Sequence, residues 1–482
     1  MPAQLTTRAQ VNGYRFLLRR YEHALVRRDV RMLHDPMRSQ SRSLLVGAVL
    51  GILVVAGAAI MAFLRPQGAV GDSKIVMAKE SGALYAVIDS TLYPVLNLAS
   101  ARLVTQSAES PTSVKESKLG DLARGPLVGI PGAPAALPGS SAGARSIWTL
   151  CDTVELSTAG SVIGSAGATS TVIAGRLGDE EGAARPIHSA EALLVTREDK
   201  TFLLFDGKRA EVDPKDSVMA KSLGLHNAQP RPISAGLLNA ATQVPALSPP
   251  RIEHVGEPGP GRLSDIPVGG VVRVRGVSSE ELYVVLREGV QRVSPFAAEV
   301  IRSANSQGMS EITTVPPDRL IDVPVRDSLA VEHFPWETPT VTAAEDAPVG
   351  CISWAAETEG PAPTVSILAG RELPLPTSTV PVELATADGG GDRLDAAYIP
   401  PSTGEYVQTT AMDPDSPRRG SLFYVGDNGV RYGVPDTETA AILGLEEKPR
   451  LAPWPIVGQL VPGPTLSVLD ARVRHDTLPM GS

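Results

Sequence analysis

The chain has 482 residues with 45 Gly, 42 Pro and only 20 aromatics, yet 43% of it is hydrophobic. That combination excludes wholesale disorder and collagen-like repetition, and allows two to four domains at about 100 to 200 residues each. A net charge of −9, from 44 Lys and Arg against 53 Asp and Glu, argues against a general nucleic-acid binder.

The charge is unevenly spread. Residues 1–43 carry nine Arg and three acids, a net of +6, which leaves −15 for the rest. The spacing predicts a helix from Thr7, as N-cap, to about His34. Val11, Tyr14, Leu18, Tyr21, Leu25 and Met32 fall near one face, with arginines around the remainder. Asp35-Pro36 ends it. Arg19, Arg20, Arg27, Arg28 and Arg31 are the candidate docking residues, for protein partners or for anionic lipid headgroups at on the order of 1 kcal/mol each. A plain topology signal explains the arginines but leaves the apolar stripe without a purpose.

The strongest signal follows. Leu44 to Leu64 contains no charged or polar side chain across 21 positions. As a helix it is about 31 Å long, the thickness of a bilayer's hydrocarbon core. A cleavable signal peptide fits poorly, because the run is too long, the basic stretch before it is some forty residues, and no small-x-small site follows. A buried core helix would have to be apolar all round with Arg42 and Arg65 at its ends. The reading is a single membrane span between a 1–43 cytosolic segment and a translocated 65–482 domain, oriented by the excess of Arg before the span. Gly47 and Gly51 form a GxxxG pair that lets another helix approach.

Translocation places Cys151 and Cys351 in an oxidising compartment, where two thiols usually join. Two unpaired buried thiols, or a nucleophilic cysteine with an unseen partner, are the alternatives. Along the same stretch four segments read as a β-hairpin followed by a helix, beginning at Leu84, Thr201, Leu282 and Leu422. Asp206-Gly207, Glu288-Gly289 and Asn428-Gly429 supply their turns, with Asp89-Ser90 a weaker version. Ser294-Pro295 and Val434-Pro435 place a proline near two helix starts. The cysteine-bearing run WTLCDTVELS resembles GCISWAAETE, and each is followed by a second apolar run, STVIAGRL and TVSILAGREL.

Offsets of 198 from Leu84 to Leu282, 200 between the cysteines and 220 from Thr201 to Ser421 suggest one duplication. The expected fold is α+β. Four hairpin-helix repeats near 84–135, 201–245, 282–330 and 421–467 surround a mainly β central domain, near 145–200 and 345–415, with pseudo-twofold symmetry. GIPGAPAALPGSSAGA, ALSPPRIEHVGEPGPGR and ADGGGDR read as linkers.

Catalytic chemistry is not visible. There is no G-x-x-x-x-G-K-[ST] phosphate loop, and Asp206-Gly207-Lys208 is a hairpin turn. Gly139-Ser140-Ser141-Ala142-Gly143 matches a nucleophile elbow only formally, since it lies in a linker with neither strand nor helix around it. The seven histidines, 23, 34, 188, 226, 254, 333 and 475, show no metal-ligand spacing. Asp388 and Asp392, flanking three glycines, read as a turn rather than a cation loop. No catalytic, cofactor-binding or metal residues are assigned.

The opening TTRAQVNGYRFLLRRYEHALVRRDVRML, the span ending in FLRPQG, then SGALYAVIDSTLYPVLNLASARLV, GPLVGIPGAP, WTLCD, DNGVRYGVP, APWPIVGQLVPGPTLS and HDTLP together resemble the EccB component of the mycobacterial type VII (ESX) secretion membrane complex. The resemblance runs from about Leu5 to Leu478. It implies a short cytosolic helix, one inner-membrane span and a periplasmic part of four repeats about a central domain closed by a disulfide, matched here by Cys151 and Cys351. It further implies assembly with an FtsK/SpoIIIE-type motor ATPase, a multi-span channel subunit, a further membrane subunit and a mycosin protease, with dimers inside a hexameric complex and no nucleic acid. Family members are often labelled ATPases, and no Walker motif is present here to support that. The expected role is structural, with an ATPase or cell-envelope hydrolase as the alternative.

Overall fold

The computed structural model describes residues 7–31, 36–64, 70–164, 167–276, 280–357, 360–445 and 448–477. They form two units, Met1–Gly71 and Asp72–Ser482.

In the smaller unit, helix α1 (Arg8–Arg27) opens with a capping box in which Gln10 N donates to Thr7 Oγ1 and Thr7 N donates to Gln10 Oε1. It is shorter than the expected run to His34. Arg28 takes the left-handed conformation, φ 57°, with its N–H on Ala24 O, and Asp29 Oδ1 then accepts from Arg31 N at 3.0 Å. A short acid bonding its own downstream backbone competes with continuing the helix. Met32, His34 and Asp35 lie outside the described residues, as does Arg65. Helix α2 (Pro36–Leu64) contains the expected span but starts earlier, with proline at its first position, where a missing N–H costs least. Its Arg42–Met61 stretch has a mean hydropathy of 2.7, with exposed Leu, Val and Ile on every side.

The larger unit is built on four similar sheets. In each, three consecutive strands make an antiparallel meander, a helix follows the third strand, and a later short strand pairs parallel to the first. The strands are Ile75–Ala78, Leu84–Ile88 and Thr91–Pro94 with helix Leu98–Thr105. Next come Glu191–Arg197, Lys200–Phe205 and Lys208–Glu211 with helix Ser217–Ser222. Val271–Arg275, Glu280–Leu286 and Gly289–Val293 precede helix Pro295–Ala304. Gly404–Thr410, Leu422–Gly426 and Val430–Val434 precede helix Thr437–Ile442. All four expected hairpins and helices are present. The strand ahead of each hairpin was not read from the sequence.

Local chemistry explains most of the joints. Asp206 and Gly207 both have positive φ, 47° and 70°, as do Asp89 and Ser90 at 47° and 60°, so the turn expected to be weak is fully formed. A Cβ on Gly207 would lie 2.8 Å from Val365 Cγ1, so this hairpin tip needs glycine for packing as well as for φ. At Glu288-Gly289 and Asn428-Gly429 only the glycine has positive φ. Ser294 caps and Pro295 opens its helix as expected, whereas Pro435 stands one residue outside a helix capped by Asp436, whose carboxylate accepts from Thr439 N at 2.7 Å.

Cores join the sheets in pairs, second with third and first with fourth. Leu203, Phe205 and Met219 of the second sheet and its helix pack with Val284, Phe296 and Val300 of the third. Ile75, Ala86 and Leu103 of the first pack with Tyr406, Tyr424 and Leu443 of the fourth, and Arg102 Nη1 donates to Leu443 O at 2.6 Å. Between these pairs lies a seven-stranded sheet whose centre is β1 (Arg145–Val154), β2 (Ala168–Ala174), β3 (Val349–Glu357) and β4 (Thr364–Gly370), ordered β2-β1-β3-β4.

Candidate functional site

Strands β1 and β3 pair antiparallel from Val349–Thr153 to Glu357–Arg145, which sets Cys351 directly opposite Cys151. The two are joined as a disulfide, with Cα atoms 4.0 Å apart and both residues buried. Two positions along the same face, Thr149 Oγ1 donates to Ser353 Oγ at 2.8 Å. The other face places Trp148 against Trp354 and Leu150 against Ile352, over Leu193, Leu237, Ile456 and Val457. Trp148 Nε1 donates to Ser146 Oγ at 3.1 Å, while Trp354 Nε1 has no partner among the described residues.

Buried polar groups tie this seam to its surroundings. Asp152, next to the cystine, accepts from Ser234 N at 2.6 Å and Ser234 Oγ at 2.8 Å. Arg231 donates to the carbonyls of Ala347, at 2.6 Å, and Thr342, at 3.0 Å, and burial lowers its guanidinium to about 10. Arg450 and Glu405 form a buried ion pair at 3.0 Å, and both bond the Ser140 hydroxyl. Apart from Ser140, met only as part of the formal elbow string, none of these was singled out from the sequence. The available signal was a charged residue inside an otherwise apolar strand run, as in Cys151-Asp152.

Burial pushes the Asp152 carboxyl up to about 7, against the two Ser234 hydrogen bonds, which pull it down. With the ordinary value near ~3.9, the native state holds more protons than the unfolded chain between those values. Its stabilising contribution is therefore full below pH ~4 and is lost as pH rises through about 7. Asp152→Asn is expected to remove on the order of a few kcal/mol of that decline. Urea unfolding midpoints of both proteins at pH 5 and pH 8 measure it, and equal slopes would refute it.

The remaining expected positions resolve plainly. The Gly139–Gly143 string is a loop held by Ser140 to Glu405 and Arg450, with neither the strand nor the helix an elbow needs. Asp388 accepts from Gly391 N and Arg393 N within the turn, and Asp392 pairs with both oxygens to Arg197 of the second sheet at 2.7 and 2.9 Å, so both carboxylates are already engaged. No group of three His, Cys, Asp or Glu among the described residues is placed to hold a metal. Around Gly47 and Gly51 a Cβ would meet nothing within 4 Å, so that face of α2 is open in the monomer. Arg19, Arg20, Arg27, Arg28 and Arg31 are all exposed.

These features define an α+β protein centred on one cystine-bridged sheet, whose described residues include one helix long and apolar enough to cross a membrane. Residues 3–480 match the family model "Type VII secretion system ESX-1, transport TM domain B", and the chain belongs to this EccB family. It is 38% identical over 483 residues to the ESX-3 secretion system ATPase EccB3 of Mycolicibacterium smegmatis, covering 98% of this chain and 91% of that one. It is 36% identical over 481 residues to the ESX-1 secretion system ATPase EccB1 of Mycobacterium tuberculosis, covering 99% and 97%. A chain of an intact ESX-5 inner membrane complex superposes with a TM-score of 0.73 at 33% identity, over 100% of this chain and 98% of that one. A chain of the EccB3 dimer from the ESX-3 core complex gives 0.70 at 35%, over 83% and 100%.

Proposed function

We propose that this chain is a structural subunit of a type VII secretion inner-membrane complex, anchoring and assembling the channel and its periplasmic part. The observation that carries the reading is its likeness, end to end, to a chain of the ESX-5 inner membrane complex. In this reading residues 1–43 are cytosolic, Leu44 to Leu64 span the membrane and residues 65–482 are periplasmic. Gly47 and Gly51 pack against a neighbouring helix, and Arg19, Arg20, Arg27, Arg28 and Arg31 dock the cytosolic helix. Its partners are a motor ATPase of the FtsK/SpoIIIE type, a multi-span channel subunit, other membrane components, a mycosin protease and a second copy of itself, in dimers within a hexamer.

We also read the periplasmic part as two copies of one unit, four repeats about a central domain. Two features support this. The cysteines face each other across β1 and β3, and the cores join first sheet to fourth and second to third, the exchange a twofold through the cystine would produce. The tryptophans depart from that axis. Trp148 precedes its cysteine by three positions and Trp354 follows its own by three, so both stand at one end of the seam.

An ATPase is the second reading, favoured by the names its relatives carry. Purified full-length protein is expected to be dimeric by light scattering, with no ATP turnover above a buffer blank. A strict monomer whose deletion leaves the cellular complex intact contradicts the scaffold. Turnover abolished by a point substitution supports the enzyme.

A further inference from the structure

The structure leaves the apolar face of α1 uncovered. At 100° per residue, Val11, Tyr14, Leu17, Leu18, Tyr21 and Leu25 fall within an arc of about 120°. All six are exposed, from 41% at Val11 to 82% at Leu25. Arg8, Arg15, Arg19, Arg20 and Arg27 occupy the opposite arc, with Arg15 and Arg20 bordering the apolar stripe on either side. Phe16 and Val26 sit among the arginines, and so does His23, the buried exception on this helix. That burial is therefore not on the apolar side.

We infer that α1 lies in the plane of an anionic membrane surface, its Tyr and Leu stripe in the headgroup boundary and its flanking arginines on phosphates. This deepens the reading above and rests on α2 being the span. Two observations select lipid as the occupant. The first is the tether. Only residues 28–35 separate α1 from α2, and a fully extended chain of that length reaches no more than about 30 Å, so the helix is confined to the neighbourhood of the bilayer. The second is charge. Five arginines face a single acid, Glu22, within α1. A second copy would bring like charge against like, whereas an anionic leaflet is complementary, and the tyrosines suit its interface. The stripe is also broader than the narrow seam of a two-stranded coiled coil.

The test uses the full chain in nanodiscs, of phosphatidylcholine alone or mixed with phosphatidylglycerol. Because the native cysteines are joined to each other, a thiol introduced as Leu25→Cys alone takes an environment-sensitive fluorophore. In the anionic discs its emission is expected to shift to the blue and to be quenched by quenchers on the lipid chains. The same label at Asn12→Cys, on the arginine side, stays in water. Replacing Arg15, Arg19 and Arg20 together by Gln is expected to lower the inserted fraction at least tenfold, since each charge is worth roughly fivefold. A water-exposed Leu25 label in anionic discs overturns the inference. So does equal insertion in both lipids, or burial that appears only when a second copy or another protein is added. Discs expose both leaflets, so the outcome does not depend on orientation. Protease digestion of spheroplasts tests orientation separately.

Discussion

Replacing Cys151 and Cys351 together by alanine is expected to lower the unfolding free energy of the Asp72–Ser482 unit by about 5 kcal/mol. The bond closes a loop of 200 residues, and most of its effect comes from restricting the unfolded chain, which grows with loop length. The native sheet loses little, because both side chains are small and their strands stay paired through flanking residues on either side. The variant should therefore keep its circular dichroism spectrum while its guanidinium midpoint falls. Since both sulfurs are fully covered, reductant should not cleave the bond in the native protein, only in step with unfolding. Rapid reduction under native conditions, or an unmoved midpoint, would sink the argument.

The tryptophans make the second large prediction, and it is a matter of ordering. Trp354→Ala should cost about 3–5 kcal/mol, since the ring is fully buried in the core it shares with Leu237, Ile456 and Val457. Trp354→Phe should cost far less, because it also removes an indole N–H with no acceptor, a group that is unfavourable when buried. Trp148→Phe should fall between them, as it strips Ser146 of its indole donor while that hydroxyl still bonds Leu451 O at 2.7 Å. Denaturant midpoints at unchanged slope rank the three, and a Trp354→Phe loss as large as that of Trp354→Ala refutes the account.

What could be read from the residues was what short-range patterning encodes. Strand-turn-strand-helix runs such as Leu84–Thr105 announce themselves through alternation, Asp-Ser or Asp-Gly turns and a cap, because those choices are made within a few residues. Asn97, which caps the first of these helices through Ser100 N, and Thr7 belong to the same class. The leading strands Ile75–Ala78 and Gly404–Thr410 were missed, since each joins its sheet across a break in pattern and without a tight turn of the recognised kinds. The premature end of α1 turned on one Asx hydrogen bond at Asp29, which no periodicity reports. Asp152, Arg231 and the Glu405–Arg450 pair were hidden for another reason. Their partners, Ser234, Ala347 and Ser140 among them, lie tens to hundreds of positions away, and burial of a charge is legible only once the partner is in place.

The exchange of cores has a bearing on how the chain is made. The first sheet, complete by Arg124, buries its apolar face against Tyr406, Tyr424 and Leu443, which are polymerised some 280 to 320 residues later. The second must likewise wait for the third. Neither half can finish alone, so the chain as it is made passes through a long, unsatisfied intermediate with bare sheet faces. Until the last eighty residues have joined it, that intermediate is the form most open to misassembly between copies.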